Sequence, residues 1–266
     1  MARLNLSSLE NFTYLSATEK EIFNIVDVSK VSMDDLSRLL SRDSGLLDNL
    51  LKMISSITYA FNRKLASVDE AIELVGANRF RELVLLTSAR KIYRNPEILS
   101  RSVFTAYCAK EISSRLGLKL SVSSEIYAVA LLMDLGALFL DLKDPRYTSR
   151  IYDEESLLVR FLKEQEKYGI DSHSITMSLL EEFKLPSSLR KIISSQKPEL
   201  NYSNFQLANS ILDLAYRLSF MYQCEDSEIQ DLLNIEHFQK FNLHNLDLGL
   251  ELVSSLHLEV QELISV

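Results

Sequence analysis

Few side chains in this sequence have both the type and the spacing to do chemistry. The imidazoles are His173, His237, His244 and His257, the last three in the C-terminal tail, and none pairs with another at i, i+4. A divalent ion held on a helix needs such a pair or an equivalent convergence, so a metal cluster is not expected. There is no His-Glu-x-x-His, no Gly-x-Ser-x-Gly and no Cys-x-x-Cys, and the 6 glycines form neither a Walker loop nor a dinucleotide fingerprint. Two carboxylates stand out. Asp134 interrupts the most apolar stretch of the chain, directly after Ala128 to Met133, and Asp213 interrupts the apolar face from Ala208 to Leu218. An unpaired buried charge is costly, so each must meet a partner, a cavity or a ligand. Two readings stay open for both: a helix-to-helix ion pair, or what is left of a catalytic centre. Arg79, Arg81, Arg90, Lys91 and Arg94 could receive a phosphate. Against that, basic residues near a helix C-terminus are favoured by the macrodipole without any ligand.

The elements that would position these residues are helical. Ser32 with Asp35, and Ser67 with Glu70, read as helix starts. Leu36, Leu39 and Leu40 make one apolar stripe, and Leu46, Leu47, Leu50, Leu51 and Ile54 a second after an interruption at Asp43, Ser44 and Gly45. Gly76 can end the helix begun at Ser67, and Asn78 can cap the next, which should stop before Pro96. Phe104, Cys108, Ile112 and Leu116 lead to Gly117, and Ile126, Ala130, Met133 and Ala137 mark one central apolar helix. Later helices are read over Leu157 to Lys167, Ser174 to Phe183, Ser187 to Ser195 and Asn204 to Tyr222. The tail ends with Leu250, Val253, Leu256, Val260 and Leu263 at helical spacing, which can pack back or meet a partner.

Composition agrees with an all-α chain. Only 6 Gly and 4 Pro leave little punctuation for many short strands, and 47% hydrophobic with 25% charged residues is ordinary for a folded protein. The net charge of -8 makes nucleic acid an unfavoured partner. No apolar run approaches the roughly 20 residues needed to span a bilayer. The opening residues lack a secretory pattern, and Cys108 and Cys224 each sit among helical apolar residues. A cytoplasmic protein with free thiols is expected.

From about Leu6 to Tyr222 the order of residues resembles the HDOD family, a bacterial relative of the HD phosphohydrolases. Asp43-Ser44-Gly45-Leu46, with Ser55-Ser56 and Tyr59, is similar to that family's aspartate-proline turn, asparagine-serine pair and aromatic, from which Ser44 and Ser55 depart, and Ser67 to Gly76 to the serine, alanine-isoleucine and leucine-glycine pattern before its next long helix. Leu131 to Gly136 looks like the segment where HD enzymes place adjacent histidine and aspartate, with Met133 standing for the histidine. Gly169 to His173, Leu179-Leu180 and Leu185-Pro186 continue the likeness, and Asp213 resembles the final aspartate of the metal set. A following histidine pair would fall near Ser194 and Ser195, and the ligand near the start of the Phe104 helix is missing, Ser102 being nearest.

The resemblance implies an HD-like bundle of two closely packed helical lobes: residues 1–95, residues 96–222, and a C-terminal extension over 223–266. It implies a remnant pocket of Met133, Asp134, His173 and Asp213, too few ligands for a catalytic ion. The expectation is a non-enzymatic module with no metal or cofactor, acting in bacterial signal transduction through a protein partner. The alternative is a metal-dependent phosphohydrolase or nucleotide sensor using the remnant pocket.

Overall fold

The computed structural model describes residues 17–24, 32–58, 65, 67–183, 186–194, 196, 205–221 and 225–265. The N-terminal helices are α1 (Ala17–Asn24), α2 (Met33–Leu40), α3 (Ser44–Ile57), α4 (Val68–Val75) and α5 (Ala77–Ile92). Then come α6 (Pro96–Arg115), α7 (Leu120–Leu132), α8 (Leu135–Lys143), a π-helical turn (Thr148–Tyr152), α9 (Leu157–Tyr168), α10 (Ser172–Glu182) and α11 (Ser187–Ser194). The chain continues through α12 (Gln206–Leu218), α13 (Asp226–Leu233), α14 (Glu236–Gln239), a 3₁₀ turn (Leu243–Asn245) and α15 (Leu250–Ser265). No strand occurs among the described residues. No described helix is long and apolar enough to cross a membrane. Cys224, Tyr59 and the first residues of the expected resemblance lie outside the described residues.

Local chemistry explains most boundaries. The side chains of Ser32, Asp43, Ser67 and Asn95 accept hydrogen bonds from the first-turn N–H groups of α2, α3, α4 and α6. Each satisfies a donor that has no partner inside its helix. Pro96 takes the first position of α6, where its missing N–H costs nothing. Three expectations shift. Ser44 and Gly45 belong to the first turn of α3, with Asp43 as its cap, so the interruption is shorter than its residues suggest. Gly76, at φ 76° and ψ 155°, joins α4 to α5 directly, and Asn78 lies inside α5 rather than capping it. The expected central helix is two helices, broken at Met133 and Asp134.

That break has a tertiary cause. Gly136, in the first turn of α8, approaches α10 so closely that a Cβ there would lie 1.9 Å from the Ser172 carbonyl oxygen. Its N–H donates to Thr176 Oγ1 at 2.9 Å, and the Thr176 hydroxyl donates to the Met133 carbonyl at 3.1 Å. The α7–α8 elbow is thus fastened to the start of α10.

Helix α6 is the axis of the molecule, packing against α7, α12 and α15. Helix α5 packs against α1, α3, α4 and α7. One continuous apolar core runs from Leu36 and Leu46 through Phe104 and Leu131 to Leu212 and Val260. The tail helix α15 folds back on α6 and reaches α3, burying Val253, Leu256, Val260 and Leu263.

Candidate functional site

The elbow between α7 and α8 places Asp134 in the interior, 0% exposed. Its partner is Arg160 on α9, also 0% exposed, whose Nη2 donates to Asp134 Oδ1 at 2.7 Å. The Tyr152 hydroxyl, carried inward by the π-helical turn, donates to Asp134 Oδ2 at 2.9 Å, and Ser102 Oγ lies 3.5 Å from the same oxygen. Both carboxylate oxygens are therefore engaged by donors.

The Arg160 guanidinium meets further groups, although its buried Nε makes no hydrogen bond. Its Nη1 donates to the Tyr216 hydroxyl at 3.1 Å, and its Nε stands 3.4 Å from Glu164 Oε1, one turn along α9. The rings of Tyr152, Phe161 and Tyr216 surround it with centroids 5.1, 5.4 and 5.3 Å from the guanidinium carbon. Such faces attract a cation through their quadrupoles. Burial works against the Arg160 charge, but Asp134, Tyr216, Tyr147 and Glu164 outweigh it and hold the group well above its ordinary range. Arginine is suited to this place because its fork fills several acceptors at once and does not deprotonate.

Glu164 closes the network on the other side. Its Oε1 accepts from the Tyr147 hydroxyl at 2.5 Å and its Oε2 from the Ser172 N–H at 2.6 Å, the first turn of α10. Burial pushes its carboxyl above the usual range, opposed by Arg160 and by these hydrogen bonds. Tyr216 in turn donates to the Glu154 carbonyl at 2.9 Å. One guanidinium thereby joins α6, α8, α9 and α12 with the π-helical turn.

Each of the four residues expected to form a remnant metal pocket has a polar partner of its own. His173 is buried, and its Nε2 lies 2.8 Å from the Ile193 carbonyl; a carbonyl only accepts, so this nitrogen carries the proton. Met133 is buried with its Sδ 3.9 Å from Gln196 Nε2. Asp213 is partly exposed and pairs with Arg217, one turn along α12, at 3.1 Å. Of the expected set, Asp134 alone enters the guanidinium network, joined there by Ser102. No group of three His, Cys, Asp or Glu able to hold a metal ion occurs among the described residues. A divalent ion on Asp134 would have to displace a buried guanidinium that already neutralises it, so these residues do not fit a catalytic ion.

The basic residues of α5 are likewise dispersed. Arg79 pairs with Glu82 and with Glu259 of α15, its guanidinium carbon 4.7 Å from the Tyr107 ring centroid. Arg90 donates to the carbonyls of Leu263 and Ile264 at 3.2 and 3.3 Å, capping the C-terminus of α15. Lys91 lies 3.4 Å from Asp43, and Arg81 3.5 Å from Asn78, while Arg94 is exposed beyond the end of α5. Most of this group fastens helices to one another.

Arg160 and Glu164 were not singled out by the sequence, where an Arg–Glu pair at i, i+4 reads as a solvated helix face. The available signal was Asp134 itself, which required a cation that its own helix did not supply.

Comparison with solved structures places this architecture. An HDOD domain protein of unknown function from Geobacter sulfurreducens superposes with a TM-score of 0.71 at 17% identity, covering 94% of this chain and 92% of that one. A provisionally named phosphohydrolase from Shewanella amazonensis SB2B gives a TM-score of 0.69 at 18% identity over 97% and 94% of the two chains. A provisionally named signal transduction protein from Marinobacter aquaeolei VT8 gives 0.69 at 17% identity, over 99% of this chain and 62% of its own. An uncharacterized protein of Treponema pallidum (strain Nichols) is 22% identical over 133 residues, and the chain spans about a quarter (26%) of that relative's length. The family model of the HDOD domain matches residues 14–198, more than half of the sequence, and the chain belongs to the HDOD domain family.

Proposed function

We propose that this protein is a non-catalytic regulatory module of a bacterial signalling pathway, acting through contact with a protein partner. The observation that carries the reading is the Asp134–Arg160 pair, buried at 2.7 Å where the HD resemblance would require a metal-bound aspartate. A permanently charged guanidinium enclosed by three rings supplies the positive charge a metal would bring, without an open position for water. Met133 at the histidine position and the proton on His173 Nε2 agree with this. The solved structure from Marinobacter aquaeolei VT8 carries a signal-transduction name, which supports the same class of role.

The test is metal content and turnover of purified, untagged protein. Less than a tenth of an equivalent of Mn, Fe, Zn or Mg is expected, with no hydrolysis of bis(p-nitrophenyl) phosphate after metal addition. Stoichiometric metal together with turnover that Asp134→Ala abolishes would overturn the reading and favour a phosphohydrolase.

A further inference from the structure

A cavity of about 460 Å³ opens between the N-terminus of α9, the outer face of α12 and the α14 segment. It lies within the range of roughly 300–1,000 Å³ typical of small-molecule sites. Neither Asp134 nor His173 lines it, and the α12 and α14 walls lie beyond residue 198, where the family match ends. The cavity is therefore distinct from the guanidinium network, and much of it is built by the tail.

Its lining brings apolar and charged groups together. Leu158, Ile235, Phe238 and Phe241 give an apolar side. The His237 ring stands against Phe238 and Phe241 with centroids 5.4 and 6.0 Å away. Its orientation is set by Ser210, whose Oγ lies 2.9 Å from His237 Nε2 while its own hydroxyl donates to the Gln206 carbonyl at 2.9 Å.

Cationic groups share this lining with the carboxylate of Asp213. Ser156 and Leu157 bring the first turn of α9 to the cavity, where N–H groups without intrahelical acceptors carry the positive end of the helix dipole. Arg217 lines the same space, and its pair with Asp213 is made through Nε. That pairing neutralises Asp213 and orients the guanidinium, while its two terminal nitrogens make no hydrogen bond to the described residues. Lys240 also lines the cavity, its ammonium 5.8 Å from the Phe241 ring centroid, and forms no ion pair among the described residues.

A flat ring for the aromatic and aliphatic side chains and an anionic group for the cationic ones describe a single ligand. We propose that the cavity binds a small aromatic phosphate of mononucleotide size. The ring lies among Leu158, Ile235, Phe238 and Phe241, and the phosphate is held by the start of α9, Arg217 and Lys240. Asp213 is a positioning residue for Arg217. This proposal is independent of the non-catalytic reading, since it uses none of the residues on which that reading rests.

The test is titration of the whole protein with AMP, GMP, CMP and UMP by calorimetry, with the matching nucleosides as controls. At least one nucleotide is expected to bind with a submillimolar Kd, and its nucleoside about tenfold or more weaker, because charge-assisted hydrogen bonds are lost. Arg217→Gln and Lys240→Ala are each expected to weaken binding about tenfold without moving the unfolding midpoint, since both side chains reach solvent. The proposal fails if none of the four nucleotides binds at millimolar concentration, if nucleosides bind equally well, or if both variants keep wild-type affinity.

Discussion

At the scale of single residues, the cost of the interior is set by charge and by close approach. Asp134→Ala leaves Arg160 buried without its main counter-ion, and a loss of about 3–5 kcal/mol is expected in urea denaturation. The double replacement Asp134→Leu with Arg160→Met should recover a large part of that loss, because a buried pair exchanged for apolar groups is often neutral. Gly136→Ala tests a different force. Its new methyl would fall on the Ser172 carbonyl, whose backbone is held by Glu164, so destabilisation of about 3 kcal/mol or more is expected in thermal unfolding. His257, stacked on Phe104 at 4.0 Å, gives a pH signature. Burial lowers its imidazole from 6.5 to about 4, so the unfolded chain takes up the proton first as pH falls. The stability associated with neutral His257 is full above about 6.5 and is lost as pH drops toward 4. Comparing unfolding midpoints of wild type and His257→Phe across that window should show a flatter profile for the variant, while the contribution of Glu164 cancels.

At the scale of elements, the helices were legible and their joints were not. Ser32 and Ser67 announce their helices because a side-chain N-cap is a local device, complete within four residues. The stripe Val253, Leu256, Val260 and Leu263 announces a buried face for the same reason. The split at Met133–Asp134 could not be read, since Ile126 to Ala137 keep helical spacing across it and its cause is the distant contact of Gly136 with Ser172. Asp134 was legible as a charge needing a partner, but the partner, Arg160, stands 26 positions later in a pattern indistinguishable from a surface pair. Met133 and His173 were legible as departures and survivals of a family pattern, whereas the separation of Asp213 from Asp134 depends on how α12 faces its own Arg217. Helix α15 carries a prediction at this scale. It buries four apolar side chains, worth about 1.5–3 kcal/mol each, and is gripped by Arg79 and Arg90. A chain ending at Gly249 should therefore fail to give a cooperative unfolding transition by circular dichroism, whereas Arg90→Ala alone should cost about 1 kcal/mol.

At the scale of the whole molecule, one apolar core spans the helices on both sides of Asn95, and α5 meets both α7 and the tail. A single calorimetric transition is expected, with equal calorimetric and van't Hoff enthalpies; two resolved transitions would show that the lobes unfold independently. The guanidinium at the centre has a further consequence for such a unit. A metal ion is an exchangeable part, with an off-rate and a supply that the cell must maintain, whereas Arg160 is a cation on a covalent tether and has neither. On the proposed reading, chelators, iron starvation or competition among metals leave this interior as it is, and the positive charge joining α8, α9 and α12 comes with the chain itself.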